Sequence, residues 1–124
     1  MVDFKNKGLI KLSAVSIEEG QKAVKDILIT NEEVIASFKS MRDRLIFTNK
    51  RIISVNVQGV TGKKVDFTSF PYSKIQAYSI ETAGTFDLDA EIDITLSSIG
   101  TVRFELSGAT NIKKIYSTIS EKIL

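Results

Sequence analysis

The stretch "ETAGTFDLDAE", residues 81–91, places four carboxylates within eleven positions. Carboxylates spaced this closely can hold a metal ion, work as an acid/base pair, or line a surface. Asp87, Asp89 and Glu91 stand at i, i+2 and i+4, the spacing that opens a calcium loop. That loop needs Gly at its sixth position and Glu at its twelfth, where this chain has Ile92 and Ser98. Hard cations also require a wrapped cage of about six or more oxygens, so neither a metal nor a cofactor is expected. As a catalytic pair, two carboxylates on successive outward positions of a strand stand about 7 Å apart. This falls inside the roughly 6.5–9.5 Å window of inverting glycosidases, but that reaction needs the two groups on opposite sides of a sugar held in a cleft. Here they point the same way from a strand.

A surface role remains. Leu88, Ala90, Ile92, Ile94 and Leu96 alternate with Asp87, Asp89, Glu91 and Asp93, so the anionic side chains form the outer face of one strand. Two such charges about 7 Å apart in water repel by only about 0.6 kcal/mol. A solvated edge tolerates that, and charge on an edge blocks unwanted strand pairing. Alternatively the stripe meets cations. Arg51, Lys63 and Lys64, with Arg42, Arg44 and Lys50, come from turns or outward strand positions. One subunit's acidic side facing the next subunit's basic side is a head-to-tail contact, which closes into a ring when its rotation allows. Both readings stand at this point.

Other chemistry finds little footing. The chain has no cysteine and no histidine, which removes thiolate nucleophiles, the commonest general base and the commonest zinc ligand. "GVTGKK" has only Val60 and Thr61 between its glycines and Lys64 after Lys63, so it lacks the spacing of a phosphate loop and reads as a turn. The serines have no convincing base beside them. No enzymatic activity is expected. A formal charge of +2 is too small to point to nucleic acid. No apolar run approaches the about 18 residues that cross a bilayer, and the start "MVDFKNKGLIKLSAV" breaks any secretory apolar block, so a cytoplasmic location is expected.

The elements that must position these residues follow from periodicity. At 124 residues, 43% hydrophobic and 26% charged, the chain suits one domain with a real core. In "SIEEGQKAVKDIL", Ser16 and Glu19 form an S-x-x-E capping box, and Ile17, Val24, Ile27 and Leu28 mark one face of a short helix that Gly20 weakens. From Glu33 the period becomes two. Val34, Ala36 and Phe38 share one side, as do Leu45 and Phe47, then Ile53, Val55 and Val57, then Val65 and Phe67. Asn49 in "TNKR" suits the positive φ of a two-residue hairpin turn, and Gly59 and Gly62 bracket another. Ile92, Ile94 and Leu96 and then Val102, Phe104 and Leu106 alternate cleanly about a turn ending at Gly100. Phe47, Phe67 and Phe104 are placed inside, while Phe70, Tyr72 and Phe86 sit near loops, in an exposed patch or at the barrel ends. Ile112, Ile115, Tyr116, Ile119 and Ile123 form the apolar stripe of a closing helix. The expected fold is mainly β. About seven antiparallel strands over residues 33–107 curl into a barrel or sandwich, with a helical extension over 1–32 before them and a capping helix over 109–124 after them.

The run "RDRLIFTNKRIISVNVQGVTGKKVDFTSFPYSKI" followed by "IETAGTFDLDAEI" resembles the bacterial pleckstrin-homology-like family, once catalogued only as a domain of unknown function. The likeness extends from about Glu33 to the closing helix. It is carried by Arg42-Asp43, "FTNKR", "QG" with "GKK", "PY", and "ETAG" with "DLDAE" in combination. The resemblance implies a pleckstrin-homology fold, a seven-stranded curled barrel with a C-terminal helix. It implies no enzymatic activity and a self-associating, ring-forming domain whose main partner is itself. Eukaryotic relatives that hold inositol phosphates carry a basic pattern across their first two strands. This chain has the short "KSMRDR" there, with Asp43 standing among Lys39, Arg42 and Arg44. The leading expectation is a homo-oligomeric scaffold contacting itself through Asp87, Asp89, Glu91, Asp93, Arg51, Lys63 and Lys64. The alternative is a peripheral membrane module that binds anionic lipid head groups, or another phosphorylated ligand, through Lys39, Arg42 and Arg44.

Overall fold

The computed structural model describes residues 10–82, 89–108 and 112–124. Phe86, Asp87 and Leu88 lie outside the described residues. Eight strands form one sheet: β1 (Ile10–Val15), β2 (Val34–Lys39), β3 (Asp43–Thr48), β4 (Arg51–Gln58), β5 (Lys64–Pro71), β6 (Ala77–Thr82), β7 (Ala90–Leu96) and β8 (Gly100–Ser107). Helix α1 (Ile17–Val24) follows β1, and α2 (Ile112–Ile123) follows β8. The order across the sheet is β5-β4-β3-β2-β1-β8-β7-β6, so β5 and β6 are its two edges and the sheet is curled rather than closed. Pairings are antiparallel except that of β1 with β8. The mainly β fold with its capping helix is as expected, and residues 33–107 hold the seven expected strands (β2–β8); among the described residues an eighth, β1, precedes them and pairs in parallel with β8. The segment expected to be a helical extension thus contains β1, which displays Lys11, Ser13 and Ala14 to solvent and buries Leu12. Its partner in β8 lies at the far end of the chain, so local pattern gave it little support.

The interior is filled from both halves of the sheet. Ala36, Phe38, Leu45, Phe47, Ile52 and Phe70 on one side meet Ile92, Ile94, Leu96, Val102, Phe104 and Leu106 on the other. Phe38 packs edge-on to Phe47 at 6.0 Å between ring centres, and Phe70 to Phe104 at 6.4 Å. Such pairs add about 0.5–1.5 kcal/mol beyond area burial. Ile115 and Ile119 of α2 close this core, while Tyr116, expected on the same stripe, is 45% exposed and lies against Tyr78 at 5.2 Å. Phe70 and Tyr72 belong to the core, and the Tyr72 hydroxyl donates to the Thr48 carbonyl at 2.7 Å. Burial, with the Glu32 charge adding to it, pushes the Tyr72 phenol well above its ordinary range.

A second apolar cluster lies on the outer face. Val34, Ile46, Ile53 and Val55 pack there beneath Val24 of α1, with Ala23, Ile27 and Leu28 against them. The expected inward facing of Val34, Ile53 and Val55 is therefore corrected. A bulge between Val34 and Ala36 turns Val34 outward. In β4 it is Ile52 that enters the interior, while Ile53 and Val55 face the helix. Val65 and Phe67 are also corrected: β5 pairs Val55 with Phe67 and Val57 with Val65, so both lie on the outer face, each 43% exposed. Helix α1 covers part of this face and stops short of the β5 edge.

Local chemistry fixes α1 to the sheet. The Glu19 N–H donates to Ser16 Oγ at 3.2 Å, while the Glu19 carboxylate reaches Lys39 at 3.4 Å instead of returning to the cap. Gly20 is buried, and a Cβ there would stand 2.5 Å from Ser37 Oγ and 2.6 Å from its Cβ. The glycine that weakens the helix is what lets the helix approach β2. Asn49 does not take positive φ; among the described residues the non-glycine residue that does is Asn31, at 63°. Asn49 ties the turn to the segment after α1 instead, accepting from the Glu33 N–H at 2.8 Å and donating to the Asn31 carbonyl at 2.9 Å.

Candidate functional site

The strand register assembles an acidic face. Across β6, β7, β8 and β1, Glu81 faces Glu91, Glu91 faces Glu105, and Glu105 faces Lys11. One step along, Asp93 faces Arg103. Lys11, Glu81, Thr82, Asp89, Glu91 and Glu105 line an open concavity of about 380 Å³ here, which sets four carboxylates against one ammonium. Lys11 Nζ lies 3.9 Å from Glu105. Arg103 forks onto Asp93, donating from Nε at 2.7 Å and from Nη2 at 2.8 Å, and its Nη1 lies 3.8 Å from Glu91. These bonds from Arg103 hold the Asp93 carboxyl below the usual range. Like charges directly opposite one another are destabilising in a sheet, and the Glu81–Glu91–Glu105 row has that arrangement twice. Among the described residues no three acidic side chains converge closely enough to hold a metal ion.

The structure brings Asp89, Glu91 and Asp93 together on this face; Asp87 lies outside the described residues. It sets Glu81, the first carboxylate of the opening stretch, on the same face, and adds Glu105, Lys11 and Arg103, which sequence reasoning left out. The signal was available for two of these: alternation in "TVRFELS" turns Arg103 and Glu105 outward, and counting back from the turn before Gly100 sets them opposite Asp93 and Glu91. Lys11 was out of reach because β1 itself was not foreseen.

The expected cations do not form one group. Arg51 is consumed inside the chain. It donates to Glu32 from Nε and from Nη2, each at 2.9 Å, to Ser69 Oγ at 2.9 Å and to the Ile27 carbonyl at 2.7 Å. The Glu32 side chain is fully buried and also accepts from Thr48 Oγ1 at 2.7 Å and the Ile29 N–H at 3.1 Å. Burial alone pushes the Glu32 carboxyl up, but the bonds from Arg51, Thr48 and Ile29 outweigh it and hold the group below its usual range. Lys63 and Lys64 stand exposed at the start of β5, next to the outward Val65 and Phe67.

Lys39, Arg42 and Arg44 share a second concavity of about 410 Å³ with Ser40, Met41, Asp43 and Val57. Lys39 and Arg44 are cross-strand partners, and Arg44 Nη1 is buried without a hydrogen-bond partner. Arg42 donates to the Gly59 carbonyl at 2.9 Å, and Asn56 donates to Asp43. This end is therefore basic, with part of its donor capacity spent on its own backbone.

The comparisons agree with this architecture. The chain matches the family model "Bacterial PH domain" over residues 3–123. It is 48% identical over 85 residues to the uncharacterized protein YjqA of Bacillus subtilis (strain 168), covering 68% of each chain. A crystal structure of a DUF1696 family protein with a pleckstrin-homology domain from Shewanella loihica PV-4 superposes with a TM-score of 0.73 at 37% identity, covering 93% of this chain and 99% of that one. A pleckstrin homology domain from Shewanella amazonensis SB2B gives a TM-score of 0.60 at 40% identity, covering 89% and 90%. With the curled sheet, the capping helix and a family match across nearly its whole length, the chain belongs to the bacterial PH domain family.

Proposed function

We propose that this domain works by self-association, with the β5 flank of one copy against the β6–β7–β8 face of the next. The observation that carries this reading is the asymmetry of the two sheet edges. The β5 edge displays Val65 and Phe67 outward, each 43% exposed, behind the cations Lys63 and Lys64. The β6 edge borders the concavity lined by Glu81, Asp89, Glu91 and Glu105. One molecule thus carries two unlike, complementary flanks, the requirement for a head-to-tail contact that closes into a ring. Exposed ion pairs contribute only about 0–1 kcal/mol each, so the charges set register and orientation. The apolar surface of Val65 and Phe67 supplies affinity at about 25 cal/mol per Å² buried. A basic neighbour also relieves the carboxylate row that the isolated domain carries at a cost. In this role the domain is a contact module that performs no chemistry.

Light scattering tests the reading. The chain should have a solution mass several times 13.7 kDa. The double reversal Asp89→Lys with Glu91→Lys, and separately Phe67→Ser, should return it to that mass. A monomeric parent chain, or an oligomer indifferent to all three substitutions, defeats it.

A further inference from the structure

The two edges of the sheet are guarded differently. Lysine, proline and bulges are the usual devices that keep an edge strand from pairing. β5 begins with Lys64 beside Lys63 and ends on Pro71, which has no N–H to offer a ladder. β6 contains no Lys, Arg or Pro. Its pairing with β7 runs from Ala77↔Thr95 to Thr82↔Ala90 without a bulge. One charge, Glu81, stands in place of those devices. Among the described residues no strand lies beyond β6. Its outer row of N–H and C=O groups is therefore a straight half-ladder, open to a partner.

The side chains along that row define what would complete it. On the interior side, Tyr78 and Ile80 have cross-strand neighbours on one flank, Ile94 and Ile92 of β7, and both are partly buried against the core. The Tyr78 hydroxyl shares a 2.7 Å hydrogen bond with Ser120 Oγ of α2, and its ring lies 5.2 Å from that of Tyr116. Tyr116 remains 45% exposed, which leaves an aromatic surface beside the edge. On the outer side, Glu81 stands opposite Glu91 and Ser79 opposite Asp93. A strand laid about 4.8 Å beyond β6 would set alternate side chains along these two rows. Those beside Tyr78 and Ile80 should be apolar, and the one facing Glu81 should be basic. A second copy offering its own β6 would bring another acidic row against the first, which like charges oppose. We infer that the β6 edge captures an extended segment of another protein by strand addition, the segment alternating apolar with basic residues. Main-chain bonds supply affinity and the alternate side chains supply selectivity. This capture does not rest on the self-association reading, which uses the outer face of β6–β8, whereas capture uses the rim.

The probe is a seven-residue peptide alternating valine with lysine, capped at both ends and added to the full chain. Amide hydrogen exchange reads the outcome. Saturating peptide should slow exchange at every second amide of Ala77–Thr82, those facing away from β7, by about tenfold or more. N-methylating alternate residues of the peptide should abolish binding in one phase and spare it in the other, because a strand turns successive N–H groups to opposite sides. A valine–glutamate peptide should not bind. Glu81→Lys should weaken the lysine peptide by about threefold or more. The inference fails if the lysine peptide leaves β6 exchange unchanged, if both methylated phases bind alike, or if Glu81→Lys binds equally. It also fails if the peptide lowers the solution mass of an oligomeric chain, which would make this edge a contact between copies. A monomeric parent chain that binds the peptide supports the inference while defeating the self-association reading.

Discussion

The outer face of the sheet has two halves that use the same chemistry under different conditions. On β2–β4, helix α1 and the segment after it cover Ile46, Ile53 and Val55, and Arg51 forks onto a fully buried Glu32. On β6–β8 no helix of the described residues lies over the strands, and Arg103, half exposed, forks onto an Asp93 that solvent also reaches. Donor distances in the two pairs are alike, 2.9 Å against 2.7 and 2.8 Å. Their surroundings differ, and surroundings decide the energy: a desolvated pair cannot lose one member without stranding the other, whereas an exposed pair can turn to water. The covered half is therefore structural, and the open half is available for contact.

The comparison predicts an order of effects. Arg51→Ala should cost the most, about 3–5 kcal/mol in chemical denaturation, because it leaves Glu32 charged and buried. If it unfolds no more easily than the parent, the covered half is not clamped as described. Gly20→Ala comes next. Helix propensity alone favours alanine by about 1 kcal/mol, but the clash with Ser37 should reverse the sign and destabilise by about 1–3 kcal/mol. A stabilised variant would show that α1 is free to shift. Arg103→Ala, on the open half, should leave the denaturation midpoint nearly unchanged, and because it adds net negative charge to the acidic face it should keep or raise the solution mass if that face meets a basic neighbour.

Acid sharpens the same contrast. The folded chain holds the Glu32 carboxyl below its ordinary range, so the stability this provides is complete above the unfolded-state value, about 4.3. It is lost as pH falls from there through the lowered folded value. A pH series of unfolding free energies should decline over that window, and Arg51→Ala should flatten the decline. An equal slope in parent and variant would place the acid sensitivity elsewhere.

What could be read from sequence divides along the same line. The alternation of Ile92, Ile94 and Leu96 with Glu91 and Asp93 was legible because one side of β7 faces solvent. In β4, "RIISV" puts apolar residues on both sides, since one faces the core and the other faces α1, so alternation could not set the phase. The error carried into β5, where Phe67 was placed inside. Arg51 looked like a surface cation because its partner Glu32 lies nineteen residues earlier, outside any local pattern. The acidic face was legible strand by strand. Its depth across β6, β8 and β1 needed the pairing that only the fold supplies.

The position of β1 bears on how the domain can be made and handled. It lies between β2 and β8, which share no ladder of their own, so one short ribbon from the beginning of the chain stitches the two half-sheets together. Half of that stitch waits for β8, the last of the described strands along the chain, and such long-range pairing is slow to form. A shortened version beginning near Glu33 would keep seven of the eight described strands, yet it would open a seam down the middle of the sheet and bare two more sticky edges.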